Sequence, residues 1–219
     1  MEHVKNFNNQ SVGEEIANAI THGLGALLAI AGTAVLIVRA ALHSSAIGVV
    51  SACLYGGSMI LLYLFSTLYH SIVPYKAKRV FQVFDHCSIF LLILGTYIPI
   101  CLNLIGGWFG WTMFGVIAAS AVTGITLNAI NLHRWHKLSL VLYVMMGWVS
   151  LFSIKALFAA APIWAILVYL VGGGLLYTAG IKFYRDETHR FAHALWHLFV
   201  LAGTVMHYFF ILFYVYPLH

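Results

Sequence analysis

Charge is what this sequence has least of. Lys, Arg, Asp and Glu make up 8% of its 219 residues, and six of those are acidic, against 62% hydrophobic. A soluble domain carries roughly 25% charged residues, so this chain has too few to coat a water-facing globule. Cysteine is scarce as well. Cys53, Cys87 and Cys101 all lie in apolar stretches, which excludes a disulfide framework and a CxxC metal knuckle. The net charge of +5 comes from 11 scattered basic residues with no run of the kind that tracks phosphates, so nucleic acid is excluded as the leading partner. The alternation of a membrane barrel is also missing.

What the chain does have is long apolar runs. A crossing helix needs about 20 such residues, and seven stretches qualify: Ile16 to Val38, Ile47 to Tyr69, Val83 to Leu104, Trp111 to Leu132, Leu138 to Ala159, Ile163 to Phe183 and Ala192 to Tyr216. The expectation is an all-α membrane protein, a seven-transmembrane helix bundle in one domain. Residues 1–15 form a polar cytoplasmic tail and 16–217 the bundle, with short connections. The first stretch is read as a retained helix rather than a signal peptide, because its flank carries acid and its apolar run is too long for an h-region.

Counting Lys and Arg in alternate connections orients the bundle. Lys5, Lys76, Lys78, Arg79, Arg134, Lys137, Lys182, Arg185 and Arg190 fall on the side of the N-terminus, and Arg39 and Lys155 on the other. The positive-inside rule therefore predicts a cytoplasmic N-terminus and a C-terminus outside.

Ionisable groups in membrane helices are costly and usually face a bundle interior or a cavity. Glu15, Asn18 and His22 share a face of the first span. Ser66 and His70 are spaced i, i+4 on the second, Asp85 and Ser88 i, i+3 on the third, and His193 and His197 i, i+4 on the seventh. Given the alternating directions of the spans, all of them lie at one level, near the cytoplasmic face. Helix periodicity does not require that coincidence.

An i, i+4 pair of imidazoles lets one helix give two ligands to a tetrahedral zinc, and a third from a facing helix leaves a position for water. His193 and His197 with His70 make such a set. Zinc would bring that water's pKa to about 7, and Asp85 could hold the water and accept its proton. The pair alone decides nothing, since a chain with this much histidine yields roughly 0.7 HxxxH pairs by chance. His189 and His193 form a rival pair, with His189 in the polar connection. His133 and His136 read as headgroup contacts, His207 as a neutral histidine bonded to a neighbouring helix, and His86 as packing. Glu15, Asn18 and His22 read equally well as a polar staple or as support for the ligands, and Ser66 could back-bond to its own helix. Depth and spacing leave a metal site and a purely structural polar network both open.

The patterns Glu15-x-x-Asn18-x-x-x-His22, Ser66-x-x-x-His70 with Asp85-x-x-Ser88, and His193-x-x-x-His197 resemble the three motifs of the progestin and adipoQ receptor family, and the chain looks like its bacterial haemolysin III branch. The resemblance implies a bacterial plasma-membrane protein with Zn2+ held by His70, His193 and His197 near the inner face. Asp85 and Ser66 then stand around the metal-bound water, and Glu15, Asn18, His22 and Ser88 support the site. It also implies lipid-amide hydrolysis of the ceramidase kind, with a membrane lipid as substrate or ligand, or a membrane-damaging activity. Three functions follow: a zinc-dependent intramembrane hydrolase of a lipid amide or ester, a membrane-state sensor with structural zinc, and a haemolysin-type membrane-disrupting protein. A metal-free variant of the first would use Ser66, His70 and Asp85 as a triad, leaving the His193 and His197 pair unused.

Overall fold

The computed structural model describes residues 10–186 and 188–217. Lys5 and the tail before Gln10 lie outside the described residues. Among those described there is no strand, and six helical segments are long and apolar enough to cross a membrane. They are α1 (Val12–His43), α2 (Ala46–Ser71), α3 (Tyr75–Ile105), α4 (Gly107–Ala160), α5 (Ile163–Tyr184) and α6 (Ala192–Val215).

α1 begins where its sequence caps it. Ser11 accepts from the Glu14 amide, and the Glu14 carboxylate accepts in return from the Ser11 amide at 2.8 Å, a capping box that satisfies donors the first turn cannot pair. Gly25 allows α1 to lie close on α2, since a Cβ there would meet the Tyr63 ring at 2.7 Å. Three segments contain π-helical turns: α3 from Ile100, after Pro99, α5 from Ile166 and α6 from Ile211. Proline removes a helical hydrogen bond and loosens the turn around it.

At 54 residues α4 would measure about 80 Å as one straight helix. It is not straight. Asn131 leaves helical geometry (φ −161°, ψ 92°), and its side chain caps the next turn by accepting from the Arg134 amide at 3.0 Å. Beyond it the chain runs back along itself. The Ser139 hydroxyl donates to Asn128 Oδ1 at 2.5 Å, although an unbroken helix would hold those residues about 16 Å apart. The sequence places a connection at residues 133–137; here the turn comes earlier and the helix resumes at once, because Asn131 is itself the cap.

Two apolar clusters hold the segments together. One joins α1, α2 and α6 through Leu36, Tyr55, Met59, Leu62 and Phe210. The other packs Phe90 and Tyr97 of α3 against Met113, Ile117 and Met146 from both arms of α4. The outward surfaces are apolar too, with Leu24, Leu27 and Leu28 on α1 and Trp108 on α4 all exposed. Such faces belong against lipid, and the polar side chains collect inside instead.

Candidate metal centre

Four of the segments bring polar side chains to one level of the interior. α2 supplies His70, and the first turns of α6 supply His193 and His197. One ligand atom from each lies within 4.8 Å of the others. Tetrahedral zinc bonds of 2.0–2.1 Å place ligand nitrogens about 3.3 Å apart, a gap within reach of small ring rotations.

The remaining hydrogen bonds orient these rings. His70 Nδ1–H donates to Glu15 Oε2 at 2.7 Å, and its buried Nε2 has no partner of its own. His197 Nδ1 lies 3.2 Å from the Asn18 carbonyl and 3.1 Å from the Thr21 hydroxyl, which leaves its Nε2 for another task. Anchoring one imidazole nitrogen to a carboxylate or carbonyl is how metal-ligating histidines are fixed in tautomer and orientation. Three imidazoles with an orphaned, buried Nε2 among them suit zinc and several other divalent ions.

The first helix therefore serves the site through Glu15 and Asn18, whose amide also lies 3.4 Å from His70 Nδ1. His22 stacks face to face on His197, with ring centroids 3.5 Å apart. Asp85 and Ser66 are buried on α3 and α2 and line the same cavity as His193 and His197. The Ser66 hydroxyl makes no hydrogen bond of good geometry, so the back-bonded alternative for it is not what the fold adopts. Ser88 takes the bond that Ser66 forgoes: its hydroxyl donates to the Asp85 carbonyl at 2.6 Å, and it is not among the side chains that line the cavity.

Other histidines sort themselves by position. His189 is exposed and tied to Asp186 at 2.7 Å, away from the ligand set. Hydrogen bonds from the Thr188 side chain and amide and the His189 amide hold the Asp186 carboxyl well below the usual carboxylate range. His207 bonds the Leu170 carbonyl on α5 at 3.1 Å, as a buried neutral histidine should. His86, read as packing, bonds back to the Gln82 carbonyl at 2.9 Å and also borders the site. It lines the cavity, lies 3.7 Å from Asp85 Oδ2, and reaches Tyr184 at 3.4 Å.

Lys78 is the neighbour of the site that sequence reasoning missed. It counted only toward the charge balance, yet its ammonium lies 2.9 Å from Glu15 Oε1 and donates to the Tyr69 carbonyl at 3.1 Å. The available signal was its position seven residues before Asp85, two turns along one face. Hydropathy hid it, because Lys76, Lys78 and Arg79 delay the apparent start of the span to Val83, whereas the helix begins at Tyr75.

From this level a cavity of about 130 Å³ extends into the bundle. That is roughly ten times the volume one water requires. Its α3 wall runs from Asp85 to Ile100, about 22 Å of helix, and is mainly apolar beyond the first turn. Leu92, Ile93, Val144 and Val200 face it. The site is thus a polar head on a long apolar chamber.

Comparison with known proteins shows the family. The family model described as "Haemolysin-III related" matches residues 10–208. This chain belongs to that family. The haemolysin-III member described here is 45% identical over 208 residues to "Hemolysin-3" of Bacillus cereus, covering 95% of this chain and 94% of that one. It is 42% identical over 204 residues to the "Hemolysin-3 homolog" of Bacillus subtilis (strain 168), covering 93% and 95%. The human "Monocyte to macrophage differentiation factor" is 31% identical over 219 residues, covering 93% of this chain and 85% of the relative. The motif-based resemblance to the progestin and adipoQ receptor family, haemolysin III branch, is thereby established. Family and apolar helices together make this a multi-pass integral membrane protein.

Proposed function

We propose that this haemolysin-III family member is a zinc-dependent intramembrane hydrolase of a lipid amide or ester, of the ceramidase kind. One observation carries the reading: His70 gathers with His193 and His197, and those two line the head of an apolar cavity together with Asp85 and Ser66. A staple of purely structural zinc needs no chamber next to it. A pore needs a polar path through the whole hydrocarbon thickness, whereas the buried charge here is gathered at one end.

When bound, a divalent ion supplies Lewis acidity at neutral pH. The residues do the rest. Glu15 and the Asn18 carbonyl hold His70 and His197 with one nitrogen turned inward. Asp85 takes one proton of the attacking water and returns it to the departing amine or alcohol, so that the C–N or C–O bond breaks and a carboxylic acid is left, which loses its remaining proton to solvent on release. Ser66 is placed to donate to the carbonyl oxygen. The apolar chamber excludes bulk water and receives the acyl chain.

The break at Asn131 supports counting α4 as two crossings, which makes seven and puts the termini on opposite sides of a single membrane domain. The distribution of Lys and Arg supports a cytoplasmic N-terminus, and the Bacillus relatives support a bacterial plasma membrane. The test is metal content and turnover of purified protein on long-chain lipid amides and esters. Stoichiometric zinc with hydrolysis that His193→Ala abolishes supports the reading. Stoichiometric zinc without turnover on any such lipid favours the sensor, and conductance in liposomes the haemolysin.

A further inference from the structure

Most polar groups at the head of the cavity are accounted for by the proposed chemistry; His22 is not. It is 3% exposed, stacks on His197 with the two planes 8° apart, and meets Tyr63 edge-on at 5.1 Å. Neither of its ring nitrogens makes a hydrogen bond of good geometry. Its neighbours on the same helix face behave differently: Glu15 grips His70 and Lys78, and the Asn18 amide donates to Gln10 at 2.9 Å. Those two are braces. His22 touches His197 through its ring face and leaves both nitrogens to spare.

A neutral imidazole carries one donor and one acceptor. Burying both unpaired is unfavourable, and almost all buried polar groups find partners. Stacking alone does not call for nitrogen, because a phenyl ring stacks as well. On the facing helix the Ser66 hydroxyl is equally buried, with the Asp85 carboxyl as its polar neighbour, and both His22 and Ser66 line the cavity. A histidine with both nitrogens unpaired and a serine hydroxyl on the opposite helix, at the head of an apolar chamber, make a subsite for a small polar group carried by an apolar chain.

We infer that His22 contacts the bound lipid directly, pairing with an oxygen of its headgroup while Ser66 pairs from the other side. The ligand class is an uncharged, oxygen-bearing headgroup on a long chain. The inference builds on the hydrolase reading for the nature of the ligand, but does not depend on turnover.

The test uses the full chain, zinc-loaded, in lipid nanodiscs. The probe is N-hexadecyl methanesulfonamide, an uncharged long-chain compound with oxygen acceptors that is not hydrolysed. Zinc content, melting temperature and probe affinity are measured for the wild type, His22→Phe, which keeps the stacked ring, and His22→Asn, which keeps a donor and an acceptor. The expected result is that His22→Phe retains zinc, melts no lower than the wild type and binds the probe about tenfold more weakly, the effect of one lost hydrogen bond. His22→Asn should recover part of that loss. Wild-type affinity in His22→Phe overturns the inference. So does loss of zinc or of melting temperature in both variants, which makes His22 a brace, and so does failure of the wild type to bind the probe. A wild type that binds the probe but hydrolyses no lipid removes the hydrolase reading and leaves His22 assigned.

Discussion

Lys78 and Glu15 form an ion pair of 2.9 Å that ties α3 to the first turns of α1, and the carboxylate's other oxygen holds His70 at 2.7 Å. The pair is partly buried, so its members are not interchangeable with surface charges, and the arrangement is directional: the ammonium fixes the carboxylate, and the carboxylate fixes the tautomer of a candidate ligand. Lys78→Met should weaken zinc binding about tenfold, within the range seen when the outer partner of a metal-ligating histidine is lost. Glu15→Gln, which cannot draw the Nδ1 proton as strongly, should weaken it at least as much. Competition with a chromogenic chelator measures both. Unchanged affinity in the two variants would sink this relay.

Removing the ligands themselves separates a metal centre from a polar network. His70→Ala, His193→Ala and His197→Ala should each lower bound zinc to well below one equivalent, and chelation should lower the melting temperature of the wild type while leaving the variants nearly unmoved. That pattern follows from linkage, since a metal stabilises only the state that binds it. His189→Ala is the control, and it should keep a full equivalent because that side chain is exposed and turned to Asp186. Elemental analysis beside thermal unfolding reads both effects.

How far the sequence reaches is seen by setting these residues side by side. Glu15, Asn18 and His22, and His193 with His197, were visible because helical periodicity is local and these segments are uninterrupted helices. The level they share was visible because span direction alternates. Lys78 was not, since hydropathy averages a lysine into a polar flank. His86 was placed outside the site by its 100° offset from Asp85, but a cavity wide enough to be flanked by α4 and α5 touches more than one face of α3. The reversal at Asn131 was displaced because His133, Arg134, His136 and Lys137 look like a loop by polarity while forming helix.

The turn before α6 carries the next prediction. Phe191 holds a left-handed backbone (φ 61°), and its amide donates to Glu14 Oε1 at 3.1 Å, two residues before His193. A left-handed conformation costs a non-glycine residue roughly 1–2 kcal/mol. Phe191→Gly should therefore be tolerated or slightly stabilising, offset by the lost side-chain packing, and Phe191→Val should destabilise by more than that range because a β-branched residue resists this geometry. Thermal melts in one detergent decide the order of the three proteins, and Val at or above Gly would contradict the strain.

The hairpin in α4 is open to the same kind of test. Asn128 and Ser139 are both buried, and Asn128 also receives its neighbours from two directions, accepting from Ser139 and donating to the Tyr143 hydroxyl at 3.3 Å. Asn128→Leu strands the buried Ser139 hydroxyl away from water, while the Tyr143 hydroxyl keeps its bond to the His86 carbonyl at 2.7 Å, so it should destabilise by about 1–3 kcal/mol. The double variant Asn128→Leu, Ser139→Ala should recover part of that loss, because the stranded hydroxyl is gone. A double variant no more stable than the single one would mean that the two side chains do not meet.

The chamber beyond the histidines yields the prediction that bears most on function. Ile93 and Val144 face it from α3 and from the second arm of α4, at a distance along the helices from every proposed ligand. Val144→Trp would place an indole in a space of about 130 Å³, enough to obstruct an acyl chain without touching the centre. Zinc content should stay at the wild-type level, since no ligand or partner of a ligand moves. Turnover of long-chain amides or esters should fall by at least tenfold, and a short-chain substrate should be affected much less, because only the long chain needs the far end of the chamber. Equal loss on long and short substrates would show that the indole had disturbed the chemistry, and no loss on either would show that the acyl chain lies elsewhere.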